Sequence, residues 1–259
     1  MLDDIVMSKQ AEVEAAKTRL PFDDLKSRLM SHLAERSFRK AVTVPDKLSL
    51  VAELKRKSPS KGMLRERFDP VHLAQSLQEA GAAALSVLTD EPYFGGHLDF
   101  LRDAKQFTEV PVLRKDFIID PYQVYEAAFY GADAVLLIVR VLAEEHLVDC
   151  LQAADRLGVD ALVEVHSEDE LKVALGVGAG VIGINHRDLR TFTIDQNLSE
   201  RLLPRIPAGK TVVAESGIQT AADVQRMKRL GVHAVLVGEA LMTAPDPSAK
   251  VKELFTGTW

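Results

Sequence analysis

Residues 121–139 read PYQVYEAAFYGADAVLLIV, in which an amphipathic helical segment ends at Gly131 and the apolar run AVLLIV follows. Glycine can close a helix at this point because it adopts the left-handed conformation without a Cβ penalty. The same order of helix, glycine, Ala or Val, and apolar run recurs around Gly81, Gly158 and Gly231. The chain is therefore predicted to repeat a βα unit.

Apolar runs of this kind occur eight times after residue 47. Their centres are almost entirely apolar, as expected for strands that are buried on both faces of a parallel sheet. The predicted strands are 48–54, 84–88, 110–114, 134–139, 161–165, 181–185, 211–215 and 234–237. Amphipathic segments predict helices between them, at 70–80, 121–130, 143–157, 168–175 and 220–230.

An open doubly wound sheet would also alternate strands and helices, but two features favour a closed (β/α)8 barrel. The first strand lacks a following Gly-x-Gly-x-x-Gly turn, and polar residues gather after most strands rather than at one switch point. The 259 residues are predicted to form a single α/β domain over 1–259, with the barrel at 48–259. Residues 1–47 carry helical patterns and are predicted to be a helical extension packed on the barrel.

The composition excludes several functional classes. The chain is 47% hydrophobic and 27% charged, as in ordinary globular proteins. A formal net charge of −6 argues against a nucleic-acid partner, so any anion site has to be local. The single cysteine, Cys150, excludes a disulfide framework. No apolar stretch reaches the length of a membrane span and no signal-peptide pattern occurs, so we expect a cytoplasmic protein without a membrane partner.

Polar residues follow the predicted strands at the end where a parallel barrel opens onto one mouth. Glu53 and Lys55 are two positions apart, so both point to the same side of their strand. If the two side chains pointed outward, they would be buried under helices, and burying an unpaired charge costs a large amount of free energy. Side chains that point into the mouth stay in contact with water, so this orientation is favoured. Further polar residues at strand ends are Lys115, Glu164, Asn185, Arg187 and Glu215. Ion pairs that only cap the barrel could explain any one of these residues, but not the whole set.

The last two strands carry the features of an anion site. Ser216, Gly217, Gly238 and Glu239 lie where barrels frequently bind phosphate through backbone N–H groups. Gly217 and Gly238 are expected to allow the backbone to approach the anion, because a side chain would block it. A plain turn is the alternative for Gly217. We expect the carboxylate of Glu239 to turn outward, since it would repel a bound dianion.

The seven histidines lack the spacing of metal ligands, so no metal site is expected. His166 and His186 each follow a candidate site residue by one or two positions. Phe94 and Phe117 are candidates for an aromatic lining at the mouth, and core packing is an equal alternative for each.

At these residues the chain resembles the indole-3-glycerol-phosphate synthase family over nearly its whole length. The similarity is carried by 53–62 (ELKRKSPSKG), 113–118 (LRKDFI), 161–166 (ALVEVH), 184–185 (IN), 187–189 (RDL) and 213–218 (VAESGI). Residues 2–17 are similar to the family's N-terminal helix. The chain departs from the family pattern at His186, where a small polar residue is more usual, and around 93–97.

The resemblance implies an enzyme of tryptophan biosynthesis that needs no cofactor. Its phosphorylated small-molecule substrate is 1-(2-carboxyphenylamino)-1-deoxyribulose 5-phosphate, and its products are indole-3-glycerol phosphate, CO2 and water. Lys115 is implied as the general acid of ring closure, Glu164 as a base, and Lys55 as a second proton donor that also assists phosphate binding. Positioning roles are implied for Glu53 and Asn185. The implied substrate contacts are Arg187 (to the anthranilate carboxylate), Ser58, Phe94, Phe117 and Glu215, and the phosphate contacts are Ser216, Gly217, Gly238 and Glu239.

Elementary chemistry is consistent with this allocation. A lysine beside carboxylates stays protonated and can donate, whereas burial under an aromatic substrate should raise the pKa of Glu164 toward the working pH. An aldolase with Lys115 or Lys55 as Schiff-base nucleophile is one alternative. A catalytically silent scaffold is another, although it does not explain the set of charged residues. The division of proton roles between Lys55 and Glu53 is open, as is contact with other enzymes of the pathway.

Overall fold

The computed structural model describes residues 2–29 and 34–258, and within them eight parallel strands close into a barrel. Neighbouring strands pair in chain order, and the first pairs with the last, with Ser49 opposite Ala234. The strands, numbered β1 to β8, are Ser49–Leu54, Ala84–Leu88, Val112–Lys115, Ala134–Ile138, Asp160–Val165, Val181–Asn185, Thr211–Glu215 and Ala234–Val237. The predicted (β/α)8 fold class is confirmed.

Predicted and observed strand bounds differ most at the start of β3. The apolar pattern predicted a start at Val110, but the strand begins at Val112, after Pro111. Proline lacks the N–H that a ladder hydrogen bond requires. A two-stranded hairpin, Lys57–Ser58 with Gly62–Met63, lies between β1 and the next helix. The sequence pattern did not predict it because strands this short show no periodicity.

Helices cover the outside of the barrel, and within the described residues 2–29 and 34–48 three of them precede β1. Those three are Leu2–Arg19, Phe22–Arg28 and Phe38–Val42. The others are Pro70–Glu79, Glu91–Phe94, Leu98–Phe107, Pro121–Phe129, Glu144–Leu157, Glu168–Gly176, Leu198–Leu202, Ala221–Leu230, Glu239–Met242 and Pro247–Leu254, with a 3-10 turn at Leu203–Arg205. The glycines that were predicted to end helices have positive φ, and they are Gly81, Gly131, Gly158 and Gly231. Across residues 2–29 and 34–258, no helix combines the length and apolarity that a membrane span requires.

Side chains alternate along each strand between the barrel interior and the surrounding helices. Apolar interior residues form one buried cluster that includes Val51, Leu113, Leu136, Leu162, Val213 and Leu236. The interior position two residues further along β1, β3, β5 and β7 is polar in every case: Glu53, Lys115, Glu164 and Glu215. The strand period thus places an apolar floor beneath a charged layer at the mouth.

The first helix is anchored to the barrel by a buried charge. Lys9 is fully buried, and its Nζ lies 2.9 Å from Asp116 Oδ1 and 3.3 Å from Asp90 Oδ2. Asp116 also accepts hydrogen bonds from Arg114 and from the Thr89 hydroxyl. Asp90 and Asp116 follow β2 and β3, so the helix is attached to two loops of the mouth. The sequence patterns did not predict this cluster.

Candidate active site

Every predicted site residue lines one cavity at the carboxyl ends of the strands. Its deepest polar side chains come from five different strands and are Glu53, Lys115, Glu164, Asn185 and Glu215. All of these residues except Lys115 are buried, and Glu164 and Glu215 are each only 1% exposed. Such burial of charge is tolerated only where groups of opposite charge lie close together.

Lys115 supplies the central positive charge. Its Nζ lies 3.7 Å from Glu164 Oε2 and 3.8 Å from Glu215 Oε2, and its side chain is 16% exposed at the cavity. Burial would lower the pKa of Lys115, but the charges of Glu164, Glu215 and Glu53 outweigh it and raise the pKa above the ordinary value. The neighbouring carboxylates therefore favour the protonated form of this lysine.

The two glutamates around Lys115 titrate in opposite directions. Burial would raise the pKa of Glu164, but Lys115 and His166 overcome it and lower the pKa to about 2. Burial and the charge of Glu164 raise the pKa of Glu215 well above its ordinary value. Lys115 and His166 thus stabilise the charged form of Glu164 in the unliganded site. The expectation of a raised pKa under a bound aromatic substrate stays a prediction. Of the two carboxyls, the one with a raised pKa is therefore Glu215.

Lys55 is held by the other carboxylate of the mouth. Its Nζ donates to Glu53 Oε1 at 2.5 Å. Burial would raise the pKa of Glu53, but Lys55 and Lys115 outweigh it and lower the pKa. A Cβ at Gly238 would overlap the Glu53 carboxylate. We expected glycine at position 238 because it gives an anion access to the backbone. The structure adds a second reason, because glycine also leaves room for the Glu53 side chain.

The loop after β7 has an unusual backbone conformation at two successive residues. Ser216 and Gly217 have φ of 65° and 78°, so successive residues are in the left-handed region. Strain at Ser216 has to be held by its surroundings. The His186 ring contacts both the Ser216 carbonyl oxygen, at 3.0 Å, and Ser199 Oγ, at 2.7 Å. The departure from the family pattern at His186 therefore supports the loop that carries Ser216.

Glu239 does not turn outward, contrary to expectation. Its Oε1 lies 2.8 Å from Lys61 Nζ and its Oε2 lies 3.2 Å from Arg187 Nη2. The attraction of these two cations outweighs the solvation that an outward carboxylate would gain. Lys61, in the turn of the short hairpin, was quoted in the family motif but not chosen as a site residue. The alternation of inward and outward side chains along a strand could not identify Lys61, because Lys61 lies in a turn.

The predicted aromatic residues meet at the cavity rim. Phe94 and Phe117 have ring centroids 6.0 Å apart, and Ser58 lines the same cavity. The Phe117 N–H donates to Asp116, and the Phe94 N–H donates to Asp90. Both aspartates are the partners of Lys9, so the first helix supports the aromatic wall.

The described residues contain no group of three or more His, Cys, Asp or Glu side chains that could hold a metal ion. The cavity instead combines a lysine with a raised pKa, one carboxyl with a lowered pKa and one with a raised pKa, and backbone groups with positive φ. Fold and site define a (β/α)8-barrel enzyme equipped for proton transfer on a small anionic substrate.

Comparisons with known proteins identify the family. A family model described as indole-3-glycerol phosphate synthase matches residues 2–254. The protein of that name from Roseiflexus castenholzii is 47% identical, over 98% of this chain and 97% of its own length. One from Dehalococcoides mccartyi is also 47% identical, over 98% of this chain and 99% of its own. This chain belongs to the indole-3-glycerol phosphate synthase family.

Solved structures of more distant proteins share the fold. N-acetylmannosamine-6-phosphate 2-epimerase from Clostridium perfringens matches with a TM-score of 0.63 at 16% identity, over 88% of this chain and 99% of that chain. The 3-hexulose-6-phosphate synthase from Salmonella typhimurium matches with a TM-score of 0.62 at 16% identity, over 80% of this chain and 96% of that chain. At these identities the likeness concerns the fold alone.

Proposed function

We propose that Lys115 and Glu164 are the principal acid and base with which this chain carries out the reaction of its family. The chain is a carboxy-lyase of tryptophan biosynthesis. Its reaction is the conversion of 1-(2-carboxyphenylamino)-1-deoxyribulose 5-phosphate to indole-3-glycerol phosphate, CO2 and water. The proposal lies in the assignment of individual steps to individual side chains.

Ring closure needs a proton donor at the ribulose C2 oxygen. As the anthranilate ring carbon bonds to C2, the carbonyl electron pair moves to that oxygen, and Lys115 donates a proton to it. Loss of CO2 then returns the bonding electrons to the ring and restores its aromaticity. A positioned acid of this kind contributes about 10²- to 10⁴-fold, or roughly 3 to 5 kcal/mol of barrier.

Dehydration needs both a base and an acid. Glu164 accepts a proton from C1 as the C2 hydroxyl leaves, and Lys55 supplies the proton that makes the leaving group water. Glu164 is ionised in the free enzyme, with a pKa of about 2, so it is ready to accept. Glu53 holds Lys55, and Asn185 lies beside Glu164 at the cavity, so these two residues position the reacting groups.

The two ends of the substrate are both anionic, and the mouth offers a partner for each. Arg187 binds the anthranilate carboxylate, between the aromatic rings of Phe94 and Phe117. The phosphate is bound by the backbone at Ser216, Gly217, Gly238 and Glu239, with help from Lys55. Glu239 bridges Lys61 and Arg187 in the free enzyme, so two cations at the mouth already hold an anionic group between them. Ser58 and Glu215 complete the substrate contacts.

The observation that carries the proposal is the position of Lys115 between Glu164 and Glu215. An aldolase of the Schiff-base type needs a neutral lysine as nucleophile. The raised pKa of Lys115 opposes that alternative. Borohydride in the presence of a keto-phosphate should therefore leave no covalent adduct on Lys115 or Lys55.

The direct test is the assay of purified protein with the anilino-deoxyribulose phosphate, following indole absorbance and CO2 release together. We expect both products in equal amounts. Indole formation that is absent, or CO2 release without ring closure, would overturn the assignment. We also propose that the chain works in the cytoplasm, that residues 1–47 and 48–259 fold as one domain, and that no nucleic acid or membrane is a partner.

A further inference from the structure

His166 is a buried histidine that contacts two carboxylates at once. It follows β5 directly, its side chain is 2% exposed, and its Nε2 lies 3.3 Å from Glu164 Oε1. On the other side its Nδ1 lies 3.1 Å from Glu170 Oε2, and its backbone N–H donates to the same oxygen at 2.7 Å. The reaction as assigned above gives this histidine no role.

Glu164 and Glu215 present a problem of symmetry. The distances from Lys115 Nζ to their nearest oxygens are 3.7 Å and 3.8 Å. Because the lysine attracts both carboxylates almost equally, it does not determine which of them carries a proton. When two carboxyl groups share such a site, their repulsion raises the pKa of one of them, and here that carboxyl is Glu215.

We propose that His166 is the positioning residue that keeps the charge on Glu164 and leaves the proton on Glu215. This inference rests on the proposed role of Glu164 as base. The imidazolium faces Glu164 and not Glu215, so it is the group that breaks the symmetry. It lies on the Oε1 side of Glu164, at ion-pair distance, whereas Lys115 lies on the Oε2 side.

The surroundings of His166 keep it charged. Burial opposes protonation, but Glu164 and Glu170 outweigh it and raise the pKa of His166 to about 9. Glu170 is in turn held by Arg140, whose Nε lies 2.8 Å from Oε1. That contact leaves Oε2 of Glu170 for the histidine.

Other charges bear less on the choice between the two carboxyls. Asp188 contacts Arg140 at 2.8 Å, on the far side of Glu170. Glu53 is a negative charge that raises the pKa of Glu215 and is itself acted on by Glu164, so it supplies no positive charge to either carboxyl. The chain of contacts from Arg140 through Glu170 and His166 to Glu164 therefore supplies the asymmetric positive charge.

The first experiment needs no activity. The His166 ring signal is assigned by its absence from His166→Gln, and its chemical shift is followed against pH in the free wild-type protein. We expect a pKa near 9 that falls by at least about one unit in Glu170→Gln. A wild-type value near 6.5, the ordinary histidine value, would overturn the inference while leaving the roles of Lys115 and Glu164 intact.

The second experiment is the pH profile of kcat in His166→Gln, which keeps the size of the side chain and removes its charge. We expect a loss of at least about tenfold at pH 7, with the acid limb displaced to higher pH because the proton now spends time on Glu164. Glu170→Gln should produce a smaller displacement in the same direction. The matched control is Glu168→Gln on the same helix, whose side chain is 42% exposed, and its profile should not move.

The double variant His166→Gln/Glu215→Gln distinguishes charge placement from simple support. Glutamine at 215 cannot ionise, so Glu164 becomes the one carboxyl of the pair and the loss caused by His166→Gln should be partly reversed. The inference would be contradicted if the losses of kcat in the two single variants multiplied in the double variant and the acid limb of its pH profile stayed in place. If Glu164→Gln itself stays fully active, the proposed function fails instead, and the histidine titration still reports on the ion pair.

Discussion

The Nζ of Lys9 lies 2.9 Å from Oδ1 of Asp116, and both side chains are at most 1% exposed. This contact joins the first helix to the loop that follows Lys115. Arg114 lies against the same carboxylate, at 3.1 Å from Oδ2, so Asp116 is a shared partner of two buried cations. Stability and the shape of the mouth therefore depend on the same aspartate.

Asp116→Asn should destabilise the protein by about 3 to 5 kcal/mol, because it leaves Lys9 and Arg114 short of a buried counter-charge. Urea unfolding at neutral pH measures this loss. The control is Asp169→Asn, whose side chain is 90% exposed in its ion pair with Lys172, and which should change stability far less because solvent screens the pair. Equal effects of the two changes would refute the importance of the buried cluster.

The same aspartate makes stability depend on pH in the acid range. Burial would raise the pKa of Asp116, but Arg114 and Lys9 lower it from 3.8 to about 2. A lowered folded-state pKa stabilises the protein above about pH 4, and this contribution is lost as the pH falls from about 4 to 2. We expect the slope of unfolding free energy against pH in this window to be smaller in Asp116→Asn, and an unchanged slope would contradict the assignment.

Lys115→Met should lower kcat by at least about 10³-fold and change substrate binding by no more than about tenfold. Negative charge on the C2 oxygen develops in the transition state and is absent from the bound ketone, so an acid that meets it acts on kcat. Lys55→Met should raise KM at least as much as it lowers kcat, because Lys55 also assists the phosphate. Steady-state kinetics of both variants measure kcat and KM for this comparison. If the two variants show the reverse pattern, the roles assigned to Lys115 and Lys55 have to be exchanged.

Glu164→Gln and Glu215→Gln should differ although the two residues contact the same lysine. Glutamine resembles a protonated carboxyl, which is the form of Glu215, but it cannot replace the ionised base at Glu164. We expect the loss of kcat to be at least about a hundredfold greater for Glu164→Gln. Losses of equal size would show that both carboxyls, or neither, act as the base.

Gly238→Ala should lower kcat as well as raise KM, because the added Cβ displaces the Glu53 carboxylate that holds Lys55. The control is Gly176→Ala, where a Cβ would meet nothing within 4 Å. Inhibition by inorganic phosphate measures the anion site separately from the chemistry. A change in phosphate binding with kcat unaltered would mean that Gly238 serves the anion alone.

A chelator should leave the activity unchanged, since the assigned steps require only proton transfer and the described residues contain no cluster of metal-ligating side chains. Assays with and without excess EDTA test this. Activity that disappears on chelation and returns with a divalent ion would require a metal site outside the present assignment.

The sequence by itself determined the barrel and the position of its mouth. The eight apolar runs, the glycine stops and the two-residue strand period depend on local geometry, so they can be read without knowing which segments meet. The same period placed Glu53 on the inner face, and the ends of the predicted strands indicated Lys115, Glu164 and Glu215 as residues of the mouth.

Only the tertiary structure decided how these groups are charged and held. A pKa depends on burial and on charges within a few ångströms, and the neighbours of Glu164 and Glu215 come from other strands. For the same reason the ionised base, the partners of Glu239 and the buried position of Lys9 could not be predicted from any local pattern. Lys9 looks like a surface residue of an amphipathic helix until the barrel brings Asp90 and Asp116 against it.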